Sequence, residues 1–253
     1  MPLSIDIVSI FPEMFDSILR VSITGRAIST GALAVRTHNL REHCSDKHRS
    51  TDDSPYGGGS GMVMLLEPIA RAISAIETVF GRARKIVFSP AGRPLKQKLV
   101  RELVTEDRLI FVCGRYEGMD ERIFHYVDDE ISIGDFVLTG GELPAMVLVD
   151  SISRLIPGVL HNECSAQDES FETGLLEYPQ YSRPAESAGR GVPKVLLSGN
   201  HENIRLWRRQ QSLVRTRSRR PDLFAVFDLT EEDRRLLSTW DAEQTNRPVS
   251  QTK

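Results

Sequence analysis

The sequence predicts an α/β fold with a mostly parallel sheet, followed by a small helical C-terminal domain. Short apolar runs alternate with helical apolar spacing as far as Ile156, and from Asn200 onwards only the helical spacing remains. In addition, three of the apolar runs end in glycine-rich loops, and open parallel sheets bind ligands just beyond their carboxyl ends.

Ser4–Ile10 reads as a buried strand. Phe11-Pro12-Glu13 then opens a helix to about Arg20, with Pro in the first turn and an acid beside it. Ala34–Leu40 reads as a second strand. A polar, turn-rich passage from Arg41 to Pro55 leads into Tyr56-Gly57-Gly58-Gly59-Ser60-Gly61, where glycine permits either a flexible turn or a close backbone approach to a ligand. Ile69, Ile73, Ile76 and Phe80 give Glu67–Phe80 a helical face. Lys85–Phe88 runs into Ser89-Pro90-Ala91-Gly92, and Leu95, Leu99 and Leu103 mark the helix that follows. Leu109–Cys113 runs into Gly114-Arg115-Tyr116-Glu117-Gly118, and Glu130–Ile133 into a loop ending at Gly140-Gly141. Glu142–Ile156 is a further helix, stopped by Pro157-Gly158. The polar stretch His161–Arg190 begins with a linker. Asn200 caps a helix, and Thr230-Glu231-Glu232-Asp233 opens the last one, to about Trp240. The expected organisation is therefore an α/β domain over 1–160, a linker over 161–175 and a helical domain over 176–246.

Bulk composition narrows the class. In 253 residues, 40% are hydrophobic and 26% charged, which is enough apolar material for a core. The formal net charge of -3 does not announce nucleic acid, but the stretch Arg205–Arg220 holds seven arginines and no carboxylate. Arg205, Arg208, Arg209, Ser212, Arg215 and Arg219 fall on one helical face opposite Trp207 and Val214, which favours bound RNA over a merely solvated face. The three cysteines form no CxxC pair, the N-terminus lacks the pattern of a signal peptide, and no run approaches a membrane span of roughly 20 apolar residues. A cytoplasmic protein is expected.

GxGxxG, GxxxxGK[ST], HExxH and GxSxG are all missing, and the six histidines are not paired at metal-ligand spacing. Any bound ligand is held in some other way, and the three loops read either as ordinary tight turns or, taken together, as a cradle. Their glycines clear space, Tyr116, Phe136 and Leu138 offer faces for a flat ring, and exposed amides can read its edge. Spacing alone assigns no chemistry to Arg154, His161, Asp168 or Glu169.

Seven segments in register resemble the bacterial tRNA (guanine-N1)-methyltransferases of the knotted (SPOUT) class, over about nine-tenths of the chain. They are Ile10–Phe15, Pro55–Met62, Ser89–Gly92, Cys113–Gly118, Ser132–Pro144, Arg154–Leu160 and Leu197–His201. The resemblance implies S-adenosylmethionine as methyl donor, with N1 of the guanine immediately 3′ of the tRNA anticodon as acceptor. It implies a homodimer whose active sites are completed by the partner subunit, and a deep trefoil knot at the cofactor site. Threaded chains are rare, so no physical argument from the sequence leads to the knot. Carried over by position, the donor pocket comprises Pro90, Gly114, Tyr116, Glu117, Ile133, Gly134, Asp135, Phe136, Val137, Leu138, Gly140, Gly141 and Pro144. Arg154 matches the catalytic arginine. The family's general base lies in an Asp-Ser-Phe triplet, whereas this chain reads Asp168-Glu169-Ser170-Phe171, so Glu169 holds the register and Asp168 precedes it. No metal ligand is implied, although Mg2+ is compatible with the scheme. The rivals are an RNA-binding protein without catalysis and a knotted-class enzyme acting on another RNA position.

Overall fold

The computed structural model describes residues 2–160 and 169–245. The chain divides into two compact units, 1–163 and 164–253.

In the first unit a five-stranded sheet runs in the order β2-β1-β6-β5-β7, with every pairing parallel. Its strands are β1 (Leu3–Ser9), β2 (Leu33–Asn39), β5 (Arg84–Pro94), β6 (Arg108–Val112) and β7 (Asp129–Ser132); β3 (Asp52–Asp53) and β4 (Val63–Met64) form a separate short ladder. A parallel sheet covered on both faces buries its strands on both sides, and β1 is buried along its whole length. One face packs Ile5, Ile7, Leu109 and Phe111 against Ala27 of α1 (Ser22–Ser29), Leu99 of α3 (Gln97–Leu103) and Leu148 and Ile152 of α4 (Glu142–Ser153). The other packs Val8, Val87, Ile110 and Val112 against Ile69, Ile73 and Ile76 of α2 (Leu66–Phe80). Burying each of those isoleucines contributes about 1.5–3 kcal/mol.

The sheet carries one buried charge. Asp6 of β1 is fully buried, and Arg36 Nε reaches it at 2.7 Å, His38 Nε2 at 2.8 Å and Arg108 Nη1 at 3.4 Å. Burial raises its pKa, but hydrogen bonds from His38 and Arg36 outweigh that, and the carboxyl lies below its ordinary value. Arg36 also stacks on Phe80, 4.0 Å from the ring centroid.

The helix expected from Phe11 to Arg20 is instead two 3-10 turns, Pro12–Phe15 and Ile18–Arg20, followed by α1, which the apolar spacing did not reveal. Buried Phe15 anchors the first turn, and sparse apolar spacing leaves no continuous helical stripe to bury. β5 extends past Phe88 to Pro94, because the chain loops out and pairs again with β7.

The second unit consists of α5 (Lys194–Leu197), α6 (His201–Arg219), α7 (Pro221–Ala225) and α8 (Glu231–Thr245), with a two-residue ladder of β8 (Glu186–Ser187) and β9 (Arg190–Gly191). Asn200 caps α6, its side chain accepting from the Asn203 amide at 3.1 Å. At the start of α8, Thr230 and Asp233 cap each other reciprocally, at 3.0 and 3.1 Å. Leu175, Leu213 and Leu237 form the core. The last residue of the stretch expected as linker, Leu175, is buried in this core, and beyond it the Leu176 amide donates to Thr216 Oγ1 at 2.8 Å. That composition conceals a tertiary role, because one leucine in a polar run carries no periodicity.

Candidate active site

The loop at residues 89–92 within β5 and the loops after β6 and β7 converge on one cavity of about 690 Å³, in the size range of small-molecule sites. Adjacent parallel strands place their carboxyl ends side by side, so glycine-rich exits from three of them meet. The Gly141 amide donates to the Gly114 carbonyl at 2.8 Å, tying the third loop to the second, and Arg115 bridges to Gly140. At Gly141 a Cβ would stand 2.8 Å from the Cys113 Cα and 3.0 Å from the Gly114 nitrogen, so only glycine allows the two backbones this close. Tyr116 holds a left-handed backbone at φ 62°, a strain that non-glycine residues tolerate mainly where a site demands it.

Twelve of the thirteen residues expected to hold the donor line this cavity: Pro90, Gly114, Tyr116, Glu117, Ile133, Gly134, Phe136, Val137, Leu138, Gly140, Gly141 and Pro144. Asp135 does not. Tyr116, Phe136 and Val137 are exposed at its mouth, Val137 at 87%. The glycine run 57–61 lies outside the cavity lining, open at its start and packed at its end. A Cβ on Gly57 or Gly58 would meet nothing, whereas one on Gly61 would fall 2.4 Å from Cγ of Glu117, a cavity residue.

A buried charge network beneath the second and third loops was not anticipated. Glu142, 1% exposed, accepts from Ser9 Oγ at 2.6 Å and from Arg115 Nε at 2.9 Å. Arg115 also reaches Met14 Sδ at 3.1 Å and stacks over Phe11 at 4.7 Å. Three elements (the end of β1, the second loop and the first turn of α4) thus meet on one carboxylate. Burial, reinforced by Glu142, pushes the neighbouring Cys113 thiol well above its ordinary pKa and leaves it unreactive. Read as a first-turn acid on α4, Glu142 looks solvated. Its phase with Ala145, Val149 and Ile152, all buried, was the available signal.

Arg154 caps the C-terminal end of α4, is exposed, and lies outside the cavity lining. In the second unit Glu169 is half-buried and lines a cavity of about 410 Å³ with Tyr178, His201, Arg205, Arg208 and Arg209. The turn after it is pinned: the Phe171 amide donates to the Leu175 carbonyl at 2.8 Å, and the Glu177 amide to Ser170 Oγ at 3.0 Å. Asp168 and His161 lie outside the described residues.

The arginine face of α6 differs from expectation. No acid intervenes in sequence, but α8 supplies them in space: Arg205 pairs with Glu232 at 2.7 Å as well as with Glu202, Arg209 with Asp233 at 2.7 Å, and Arg217 with Asp241 at 2.6 Å. Ser212 is buried rather than facing out. Uncompensated positive charge therefore covers only part of the helix. Arg208 and Arg215 make no ion pair among the described residues, and Arg215 Nε is buried without a hydrogen-bond partner.

A family model described as tRNA (Guanine-1)-methyltransferase TrmD matches residues 3–226. Curated proteins named tRNA (guanine-N(1)-)-methyltransferase are similar along nearly their whole length. The one from Clostridium novyi is 51% identical over 243 residues, 96% of this chain and 100% of that protein. Those from Shewanella loihica and Geotalea uraniireducens are each 55% identical, over 92% of this chain and 94% of the relative. With the match entering both units, the chain belongs to the tRNA (Guanine-1)-methyltransferase TrmD family.

Proposed function

We propose that this protein transfers a methyl group from S-adenosylmethionine to N1 of the guanine immediately 3′ of the tRNA anticodon. The observation that carries the reading is the single cavity into which the loop at 89–92 of β5 and the loops after β6 and β7 open. Its residues suit an adenosyl group: the close Gly114–Gly141 approach brings the second and third loops together around the cavity, and Tyr116, Phe136 and Leu138 offer apolar faces. When bound, S-adenosylmethionine supplies an electrophilic methyl group on a sulfonium. In this reading 1–160 is the donor-binding domain, its chain path around the cavity forms the trefoil knot of the SPOUT class, and 176–246 binds tRNA. The return of β5 to β7 on both sides of residues 89–92 is compatible with such a path.

N1 of guanine bears a proton and its lone pair is delocalised, so it attacks poorly until deprotonated. A carboxylate from Glu169 or Asp168 takes that proton, worth about 10²–10⁴-fold. Arg154 stabilises the charge that builds towards O6. In a single-stranded loop the base leaves its stack cheaply. Arg208 and Arg215 hold phosphates, while Arg205 and Arg209 chiefly brace α6 against α8. The protein works as a homodimer in which the partner completes each site, in the cytoplasm; among the described residues no helix is long and apolar enough to cross a membrane.

The test is methyl transfer to an unmodified tRNA transcript, with the product mapped by mass spectrometry and Mg2+ varied in the same assay. 1-Methylguanosine next to the anticodon is expected. A methyl on ribose or on another base would replace the reading, and no transfer would leave an RNA binder.

A further inference from the structure

Tyr178 and Arg208 divide two cavities of the second unit, and both line each of them. The Arg208 guanidinium lies 4.7 Å from the centroid of the Tyr178 ring. On one side is the cavity of about 410 Å³ that holds Glu169 and His201. On the other is a cavity of about 600 Å³ walled by Pro179, Tyr181, Pro184 and Leu197. Tyr181 in turn packs on Trp207, with ring centroids 6.4 Å apart.

Charge separates the three arginines that reach the first cavity. Arg205 and Arg209 are neutralised by Glu202, Glu232 and Asp233. Arg208 is exposed, and its planar cation is spent on an aromatic face rather than on an acid. Two and three turns on, Arg215 and Arg219 continue the same side of α6, Arg215 with its buried Nε unpartnered. A stacked Arg–Tyr pair between two roomy, partly apolar hollows, followed by uncompensated cations, is the chemistry that takes an unstacked nucleobase and its phosphates. A peptide would need neither the stacking plane nor the trailing charge.

We propose that the Tyr178–Arg208 ridge is a docking site for a single unstacked nucleobase of the RNA substrate, the one adjoining the reacting guanine. It rests on the proposed function in that Glu169, offered there as the base, lines the same cavity. The ridge grips the neighbour and so fixes the register in which the target meets the carboxylate.

Binding of anticodon stem-loops by fluorescence anisotropy, alongside methyl transfer and donor calorimetry, tests this. Tyr178→Ala is expected to weaken RNA binding by about 5- to 100-fold, the range of one base–aromatic stack, with donor affinity unchanged. Tyr178→Phe should stay within about twofold of the parent. An abasic substitution at one nucleotide flanking the target should weaken the parent by the same factor and leave Tyr178→Ala indifferent. If Tyr178→Ala melts early, Arg208→Met carries the same abasic comparison. Losses that add at every RNA position overturn the proposal, as does equal binding by Tyr178→Ala and the parent. So does an equal loss for double-stranded RNA, which would mean a plain phosphate contact. Absence of methyl transfer by the parent would reject the proposed function but leave the anisotropy comparison intact.

Discussion

Arg115 Nε donates to Glu142 Oε2 over 2.9 Å, and this one ion pair joins the second cavity loop to the helix that follows the third. The pair is nearly dry, with Glu142 at 1% exposure, so losing one partner leaves the other charged in a poor solvent. Ser9 Oγ satisfies the second carboxylate oxygen from β1. The cavity wall therefore depends on a contact between residues far apart in the chain.

Glu142→Ala should destabilise the protein by about 3–5 kcal/mol, because the Arg115 cation loses its buried partner. Urea unfolding measures it. Ser9→Ala should cost only about 1 kcal/mol and weaken donor binding less. Equal losses for the two would remove Glu142 as the hub.

Gly141→Ala is expected to cut donor affinity at least about tenfold by calorimetry. Its methyl would press on the backbone of Cys113 and Gly114, which cannot yield as a side chain can, and such overpacking costs about 1–3 kcal/mol. Gly57→Ala meets no neighbour, although its left-handed φ of 86° adds strain, and donor affinity should survive.

Arg154→Ala should lower kcat by about 10²-fold or more, with donor affinity retained. Glu169→Gln and Asp168→Asn separate the two candidate bases: the variant that loses about 10²–10⁴-fold names the base. If both variants keep full rate, the carboxylate mechanism is wrong.

Asp6 gives the first unit an acid limit. Its carboxyl titrates below its unfolded value of about 4, so its stabilisation is complete above that pH and is lost as pH falls through the lowered folded pKa. Asp6→Asn should be less stable at pH 7 and show a shallower acid-unfolding slope. An unchanged slope would assign acid unfolding to other carboxyls.

Asp233→Ala should destabilise the second unit by about 3 kcal/mol, as it strips the cap of α8 and leaves Arg209 unpaired. Hydrogen exchange in α6 and α8 reports it. Arg208→Glu should leave that exchange unchanged and flatten the salt dependence of tRNA binding instead.

What could be read from the sequence was short-range. The strand of Leu109–Cys113, the isoleucine face of α2, the Asn200 and Thr230 caps and the three glycine loops all depend on neighbours within one turn or one strand, where periodicity and turn chemistry act. Of the cavity lining, the three glycine loops were legible in the residues themselves and further positions such as Pro90 and Pro144 through the resemblance, whereas Met119, Glu121 and Phe124 carried no signal.

Local patterns did not determine which groups meet across the fold. By itself the sequence determined the alternating elements, the glycine exits and an arginine-rich helix. Only the tertiary structure decided that α8 neutralises Arg205 and Arg209 while Arg208 stacks on Tyr178, and that Glu142 is buried on Arg115 and Ser9. The reason is physical: an ion pair is decided by distance and desolvation in space, and partners 24, 27 or 133 positions apart share no local signal.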